Sequence, residues 1–524
     1  MTIELLNSCL DILHTHGLES ETFHSYFTRI RYDLLGDEAV AAALVMAVGH
    51  FDEGNDEAIW LFSLLLDEAR MGIENDSAFG QVFLSNVEDA IGAGLADGTI
   101  KQHHLLKFAG QYRRVDLKVP DILTLDPEKM EGVSDTIPSD LEGNLENLAT
   151  EIQQDGGGPY ELFNALHEMT AAMPEDMQAG FVNHLATFAN PLFERCVLYW
   201  LLSGSPLIQE AAAVGLLEKL KRSALQSGTL LFLPIIRGWL PAGSARDCVD
   251  DLNKHARRKG HSSVSEHQET SIIQDITASI TDGVGAQSII IMVKRQKKTF
   301  VAMLLTKTGY GIKDAFVITC RTNREAQNIV MQARQQASGA RINRATAELF
   351  LEAAMADGLE NDCMPAPGFV DVMEICDLHG LRPQKKELLD LLELADADHE
   401  IRTAPSAKFK RMLNNEVALD ALFPFTDSWF EDSAETRSII QGSRQPKNIE
   451  TKMWKYLEAR RAMWARRFLQ TSIMLKDAKM DREARLLTAS AFALMDDQPL
   501  REIPLMDNIV FTTLAAGGVP VFWQ

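Results

Sequence analysis

Ser-Ile-Ile-Ile-Met-Val (288–293) and Phe-Val-Ala-Met-Leu-Leu (300–305) are two apolar, β-branched-rich runs separated by the charged turn Lys294-Arg295-Gln296-Lys297-Lys298. A third run, Ala315–Ile318, follows the loop Thr308-Gly309-Tyr310-Gly311-Ile312-Lys313-Asp314. Runs of this length and composition read as strands. Thr322-Asn323-Arg324-Glu325 then has the form of a capping box, and Ala326, Ile329, Val330 and Ala333 give the next helix its buried stripe. The runs are too continuous for a sheet wet on one face, so both faces are expected to be covered.

Outward from this stretch the periodicity is helical. The expected fold class is mainly α, with helical-hairpin (repeat-like) arrays around a small central β-β-β-α module. Residues 1–118 read as an acidic helical domain, with stripes through Leu5, Cys9, Ile12 and Leu13, then Ala39–Val48, then Trp60, Leu61, Leu64 and Leu65. Residues 119–158 carry ten acidic residues against one lysine, with three prolines, and read as an acidic flexible linker with a short helix near Leu141–Ile152. A helical-hairpin array over 159–260, a small α/β module over 271–340 and a C-terminal helical domain over 341–524 complete the expected division. The last contains one long helix over 447–476 and an apolar tail, 504–524, that packs down. Arg460, Arg461, Arg466 and Arg467 are expected on the side of that helix opposite its apolar face.

Within 159–260 a proline opens the second helix of each of three pairs, at Pro174, Pro206 and Pro241, spaced by 32 and 35 residues. Proline suits a first helical turn because the N–H it lacks would be unpaired there. A period in this range is the mark of stacked helical hairpins. Pro206–Leu217, with its run Ala211-Ala212-Ala213-Val214-Gly215, resembles the second helix of a HEAT-type repeat, with Gln209 where that family carries arginine. The resemblance covers about residues 159–258 and implies a scaffold or binding surface.

Composition narrows the function classes. The chain has 524 residues, 46 % of them apolar and 24 % charged, as in a globular protein. Six widely spaced cysteines form no C-x-x-C pair, which fits reduced thiols in a cytoplasmic protein better than a disulfide framework or zinc site. No basic leader segment opens the chain and no apolar run spans a bilayer, so no membrane association is expected. The net charge is −23, and residues 1–150 hold 27 Asp/Glu against 9 Lys/Arg. Such a front half repels nucleic acid and anionic membranes.

Catalytic motifs are missing: there is no P-loop, dinucleotide fingerprint or G-x-S-x-G elbow. His167-Glu168 begins like H-E-x-x-H, but Ala171 stands where the second histidine belongs. The pairs His14/His16 and His103/His104 lack ligand spacing, and the interval of six in His255, His261 and His267 suits neither a helix face nor a zinc hairpin. Asp396-Ala397-Asp398-His399-Glu400 lacks the glycine and distal glutamate of a calcium loop and reads as a helix end with solvated acids. Cys376, Asp377 and His379 are adjacent without any sign of an activated thiol. No catalytic residue, metal ligand or cofactor is assigned.

The expectation that follows is a non-enzymatic interaction or scaffold protein binding a protein partner. Candidate contact residues are Tyr310, Lys313 and Asp314 in the glycine-flanked loop, Arg257 and Arg258 at a helix end, and Lys297 and Lys298 at the hairpin tip. Two other classes stay open. One is nucleic-acid association through the basic segments 254–259, 294–298 and 460–467; the other is an enzyme using the Tyr310 loop.

Overall fold

The amphipathic stripes of the chain become α-helices, and the protein is mostly helical with a small antiparallel five-stranded sheet in the middle. The computed structural model describes residues 2–18, 20–49, 56–75, 77–125, 141–259, 271–442 and 445–519. It divides into two compact units, 1–200 with 205–226, and 201–204 with 227–524.

The first unit begins with α1 (Thr2–His16), α2 (Glu21–Leu35), α3 (Glu38–Gly49), α4 (Asp56–Glu74), α5 (Ala78–Asp97) and α6 (Leu105–Arg114). Their stripes close one apolar interior that includes Leu13, Phe23, Leu44, Leu65, Phe83 and Phe108. Ser20 caps α2 by accepting from the Phe23 N–H at 3.1 Å. Of the expected linker, residues 126–140 lie outside the described residues. On one side of them Leu123 is buried and the Leu125 N–H donates to the Ala172 carbonyl at 2.8 Å. On the other side α7 (Leu141–Gln154) buries Leu145 and Ala149. Those flanking stretches are packed chain, because their few apolar residues are spaced to reach a neighbour.

Four helices follow: α8 (Pro159–Met169), α9 (Glu175–Leu185), α10 (Pro191–Trp200) and α11 (Pro206–Arg222). Pro206 occupies the first turn of α11 and Pro174 the N-cap of α9. α8 packs on α10, and α9 packs on α11. A Cβ at Gly215 would stand 2.8 Å from the Ala186 Cβ and 3.2 Å from the Asn183 carbonyl, so α11 approaches closely only because this position is glycine.

The second unit opens with α12 (Ser227–Arg237), which contains Pro234, and α13 (Ser244–Arg258). Gly260 and residues 261–270, including His261 and His267, lie outside the described residues. The sheet comprises β1 (Ser271–Ala278), β2 (Ala286–Arg295), β3 (Lys298–Lys307), β4 (Gly311–Cys320) and the two-residue β5 (Ala340–Arg341), in the order β4-β3-β2-β1-β5. The module thus has two strands beyond the expected three. The charged turn is a two-residue hairpin: Arg295 pairs with Lys298, and Gln296 takes the left-handed conformation at φ 54°.

Both faces of the sheet are covered, as its apolar continuity requires. α14 (Asn323–Gln336) buries Ala326 and Val330 against Ile290, Met292 and Val301. By strand alternation Ile289, Ile291, Val293 and Leu304 point the other way, and all four are buried. α15 (Arg344–Glu360) and α16 (Phe369–Ile375) pack against β3 and β4. The Thr322 hydroxyl accepts from the Glu325 N–H at 3.1 Å, which makes the N-cap.

The remaining helices are α17 (Leu388–Ala395), α18 (Ser406–Leu413), α19 (Glu416–Thr426), α20 (Ala434–Gln441), α21 (Pro446–Glu458), α22 (Arg461–Asp477), α23 (Asp481–Met495) and α24 (Pro504–Ala516). The single helix expected over 447–476 is two, because Ala459 and Arg460 close one and open the next. α24 buries Leu505, Met506, Ile509 and Val510, while residues 520–524 of the tail lie outside the described residues. Among the described residues no helix is long and apolar enough to cross a membrane.

Candidate functional site

The loop β1–β2 carries the second unit's internal bracing. Trp429 donates from its indole Nε1 to the Thr281 carbonyl at 2.9 Å, and the Gly283 N–H donates to the Ser428 carbonyl at 3.0 Å. A Cβ at Gly283 would lie 2.2 Å from the Phe430 carbonyl oxygen, so the loop enters only as glycine. Behind it Glu431 is 4 % exposed. Its Oε1 accepts from Arg460 Nε at 2.6 Å and Trp464 Nε1 at 2.9 Å, and its Oε2 accepts from Tyr456 at 3.2 Å. A buried carboxylate with this set of donors is satisfied, and each donor fixes a different turn of α21 and α22.

Beside this bracing, at the end of the sheet where β2 begins and β3 ends, lies a cleft of about 270 Å³. β2 contributes Gln287, β3 Thr306 and Lys307, α15 Asp357 and Glu360, and α22 Arg466 and Arg467, with Lys385 and Lys386 at the approach to α17. The lining holds five cations and two carboxylates, 5 − 2 = +3, in a chain whose net charge is −23. Arg467 is 5 % and Lys307 8 % exposed. Arg467 donates from Nη1 to the Gly283 carbonyl at 2.9 Å and stacks on Trp464 at 4.7 Å. Burial pulls its guanidinium down to about 10, still protonated at neutral pH. Asp357 accepts from the Gly309 N–H at 2.6 Å; burial pushes its carboxyl up, against the smaller pull of that hydrogen bond. Asp282, under the floor, is likewise pushed up by burial and accepts from the N–H groups of Val284 and Ala286.

The Tyr310 loop closes the β3–β4 end beside this cleft. Lys307 Nζ and Lys313 Nζ stand 5.4 and 5.1 Å from the Tyr310 ring centroid, so the phenol is half-buried between two ammonium groups. Gly311, at φ 74°, serves a different end from merely presenting the tyrosine. A Cβ there would lie 2.7 Å from the Gly358 Cα, and one on Gly358 would meet the Gly311 Cα at 2.9 Å. Backbone meets backbone, and β4 docks on α15. Asp314 is exposed.

The other predicted contact residues lie elsewhere. Lys297 and Lys298 are exposed just before and at the opposite end of β3, ten and nine residues from Lys307, about 30 Å at a strand's rise per residue. Arg257 and Arg258 are exposed in the last turn of α13. The four C-terminal arginines do not form an outward ridge. Arg460 bonds Glu431, Arg461 bonds Glu458 and the carbonyls of Leu494 and Gln498, Arg466 bonds the Lys386 carbonyl, and Arg467 is buried.

The motif fragments resolve into structural roles. His167 stacks on Phe163 at 5.2 Å and burial pulls it down to about 3, while Glu168 pairs with Arg114 at 2.8 Å. Asp396 is not a solvated acid: it is buried and accepts from the N–H groups of Ile401 and Arg402 and from Arg402 Nε. Burial pushes the Cys376 thiol up to about 12, the reverse of activation. Among the described residues no group of three or more His, Cys, Asp or Glu is placed to hold a metal ion.

Sequence comparison gives four matches along the chain: the uncharacterised protein y4lR N-terminal domain at 4–120, the Y4lR second domain at 174–260, a domain of unknown function (DUF7401) at 268–397, and the Y4lR C-terminal helical domain at 389–517. No solved structure matches. A protein of Sinorhizobium fredii described as uncharacterized protein y4lR is 54 % identical over 518 residues, covering 98 % of this chain and 99 % of the relative. With near-complete coverage at that identity, the chain belongs to the y4lR family.

Proposed function

We propose that the protein is a non-enzymatic interaction protein that binds a protein partner through the surface of its HEAT-like helical hairpins. One observation carries the reading. Met169 at the end of α8, Met177 in the first turn of α9 and Leu207 in the first turn of α11 are 50, 42 and 43 % exposed. The starts of α9 and α11 are adjacent, since the Ser205 hydroxyl donates to Glu175 Oε1. Met177 and Leu207 therefore sit on neighbouring helix starts at the same edge as the α8–α9 turn. Flexible methionines on an exposed edge adapt to apolar partner side chains. The absence of any disulfide among the six cysteines supports a cytoplasmic setting.

The test replaces the edge. Cross-linking of the intact protein in cells is compared with that of a Met169→Glu, Met177→Glu, Leu207→Glu variant. A discrete partner captured by the first and lost by the second is the expected result. Capture that ignores the three substitutions, or turnover of a defined substrate with no captured partner, contradicts the proposal.

A further inference from the structure

The sheet-end cleft gathers more cations than acids around one buried guanidinium. Arg467 is a buried guanidinium whose Nη1 bonds a carbonyl; its Nε and Nη2 donate to no protein group among the described residues. A buried guanidinium presenting two N–H groups to a cavity is a fork shaped for an oxyanion. Lys307, also more than nine-tenths buried, lines the same space, and Lys386 and Arg466 stand at its mouth. Of the two acids in the lining, Glu360 is held by Lys385 at 3.1 Å and Asp357 by the Gly309 N–H. The hydroxyls of Thr306 and Thr308 already donate to the carbonyls of Gln287 and Gly285, and the Gln287 amide donates to the Ser279 carbonyl. The lining thus sets its cations, together with the side chains of Thr281 and Gln470, around the space.

We propose that this cleft binds a small phosphate-bearing ligand, its phosphoryl oxygens held by Arg467 and Lys307 at the floor and by Arg466 and Lys386 at the mouth. The surplus of +3 favours a dianion over a single carboxylate. The space of about 270 Å³ holds roughly nine waters' worth of ligand at ~30 Å³ each, which suits a phosphomonoester and not a polymer backbone. Because phosphate gains its second charge near pH 6, its affinity rises across that pH, whereas a carboxylate's does not. The site is separate from the hairpin edge of the first unit, so failure of either proposal leaves the other standing.

Calorimetric titration of the full chain with inorganic phosphate, methyl phosphate and acetate tests it. The expected result is saturable binding of one or both phosphate probes, tighter at pH 7.5 than at pH 5.5, with acetate inert. Tighter binding of methyl phosphate identifies an ester as the natural form; tighter binding of inorganic phosphate identifies the free ion. Arg467→Met removes the central donor. Because its fold also leans on that residue, the paired rim variant Arg466→Gln, Lys386→Gln is measured alongside and weakens binding about tenfold or more. Lys297→Gln, Lys298→Gln at the far end of the sheet leaves it unchanged. Absence of saturable phosphate binding, equal binding of acetate, or equal weakening by the rim and far-end pairs overturns the assignment.

Discussion

The helices of residues 2–125 and those of 416–516 close their interiors by opposite means. In the first, Leu13, Phe23, Leu44, Leu65, Phe83 and Phe108 meet in one apolar cluster, and the part-buried acids Glu68 and Glu74 are paired with Arg31 and Arg70. In the second, Trp429, Trp464 and Phe468 pack edge-on and tilted beside a charged centre, with Glu431 bonded to Arg460, Trp464 and Tyr456. Apolar burial is proportional to area and indifferent to direction, so such an interior degrades gradually when one side chain is trimmed. A buried carboxylate is stable only while its particular donors are in place. The second interior thus fixes geometry more strictly, and the sheet-end cleft is built on its border, where Arg467 and the Gly283 loop meet.

The largest effect should come from Glu431→Ala, which strands Arg460 and the indole of Trp464 and should cost about 3–5 kcal/mol in urea denaturation. Leu65→Ala in the apolar interior should cost somewhat less, about 3 kcal/mol. A reversed ranking would erase the distinction between the two interiors.

Asp282→Asn sharpens it through pH. Burial raises the folded carboxyl above its unfolded value, so the stabilisation that protonation supplies is present at low pH and lost as pH rises through the folded value. Asparagine keeps the acceptor for Val284 and Ala286 without the charge. The variant should therefore melt higher than the parent at neutral pH and lose that advantage in acid. The smallest effect belongs to the exposed hairpin tip, where Lys297→Ala with Lys298→Ala should stay within about 0.5 kcal/mol of the parent.

What local pattern can reveal follows the same division. β2, β3, β4, the hairpin between the first two and the N-cap of α14 are written in contiguous residues, and all were legible. β1 was not. Its alternation is broken by a bulge between Ile273 and Asp275, its Ile272 is exposed, and Asp275 is held by Arg334 and Arg341, some sixty residues on. The break at Ala459–Arg460 was hidden because both flanking helices carry good helix formers, and it is fixed by Glu431, far outside any local window. The burial of Arg467, expected opposite the apolar face, is hidden for the same reason: it depends on a carbonyl at Gly283 and an indole one turn away. The Tyr310 loop was found by its glycines, but the reason for Gly311 lay in Gly358, which no spacing connects to it.

A double-mutant cycle on Glu431 and Arg460 tests most directly whether the second interior is organised by buried charge. Single and paired replacements by alanine are compared by equilibrium unfolding. A coupling above about 1.5 kcal/mol is predicted, because the Glu431 carboxylate is buried and shared with Trp464 and Tyr456. A coupling under about 0.5 kcal/mol, the size of an exposed ion pair, would contradict it.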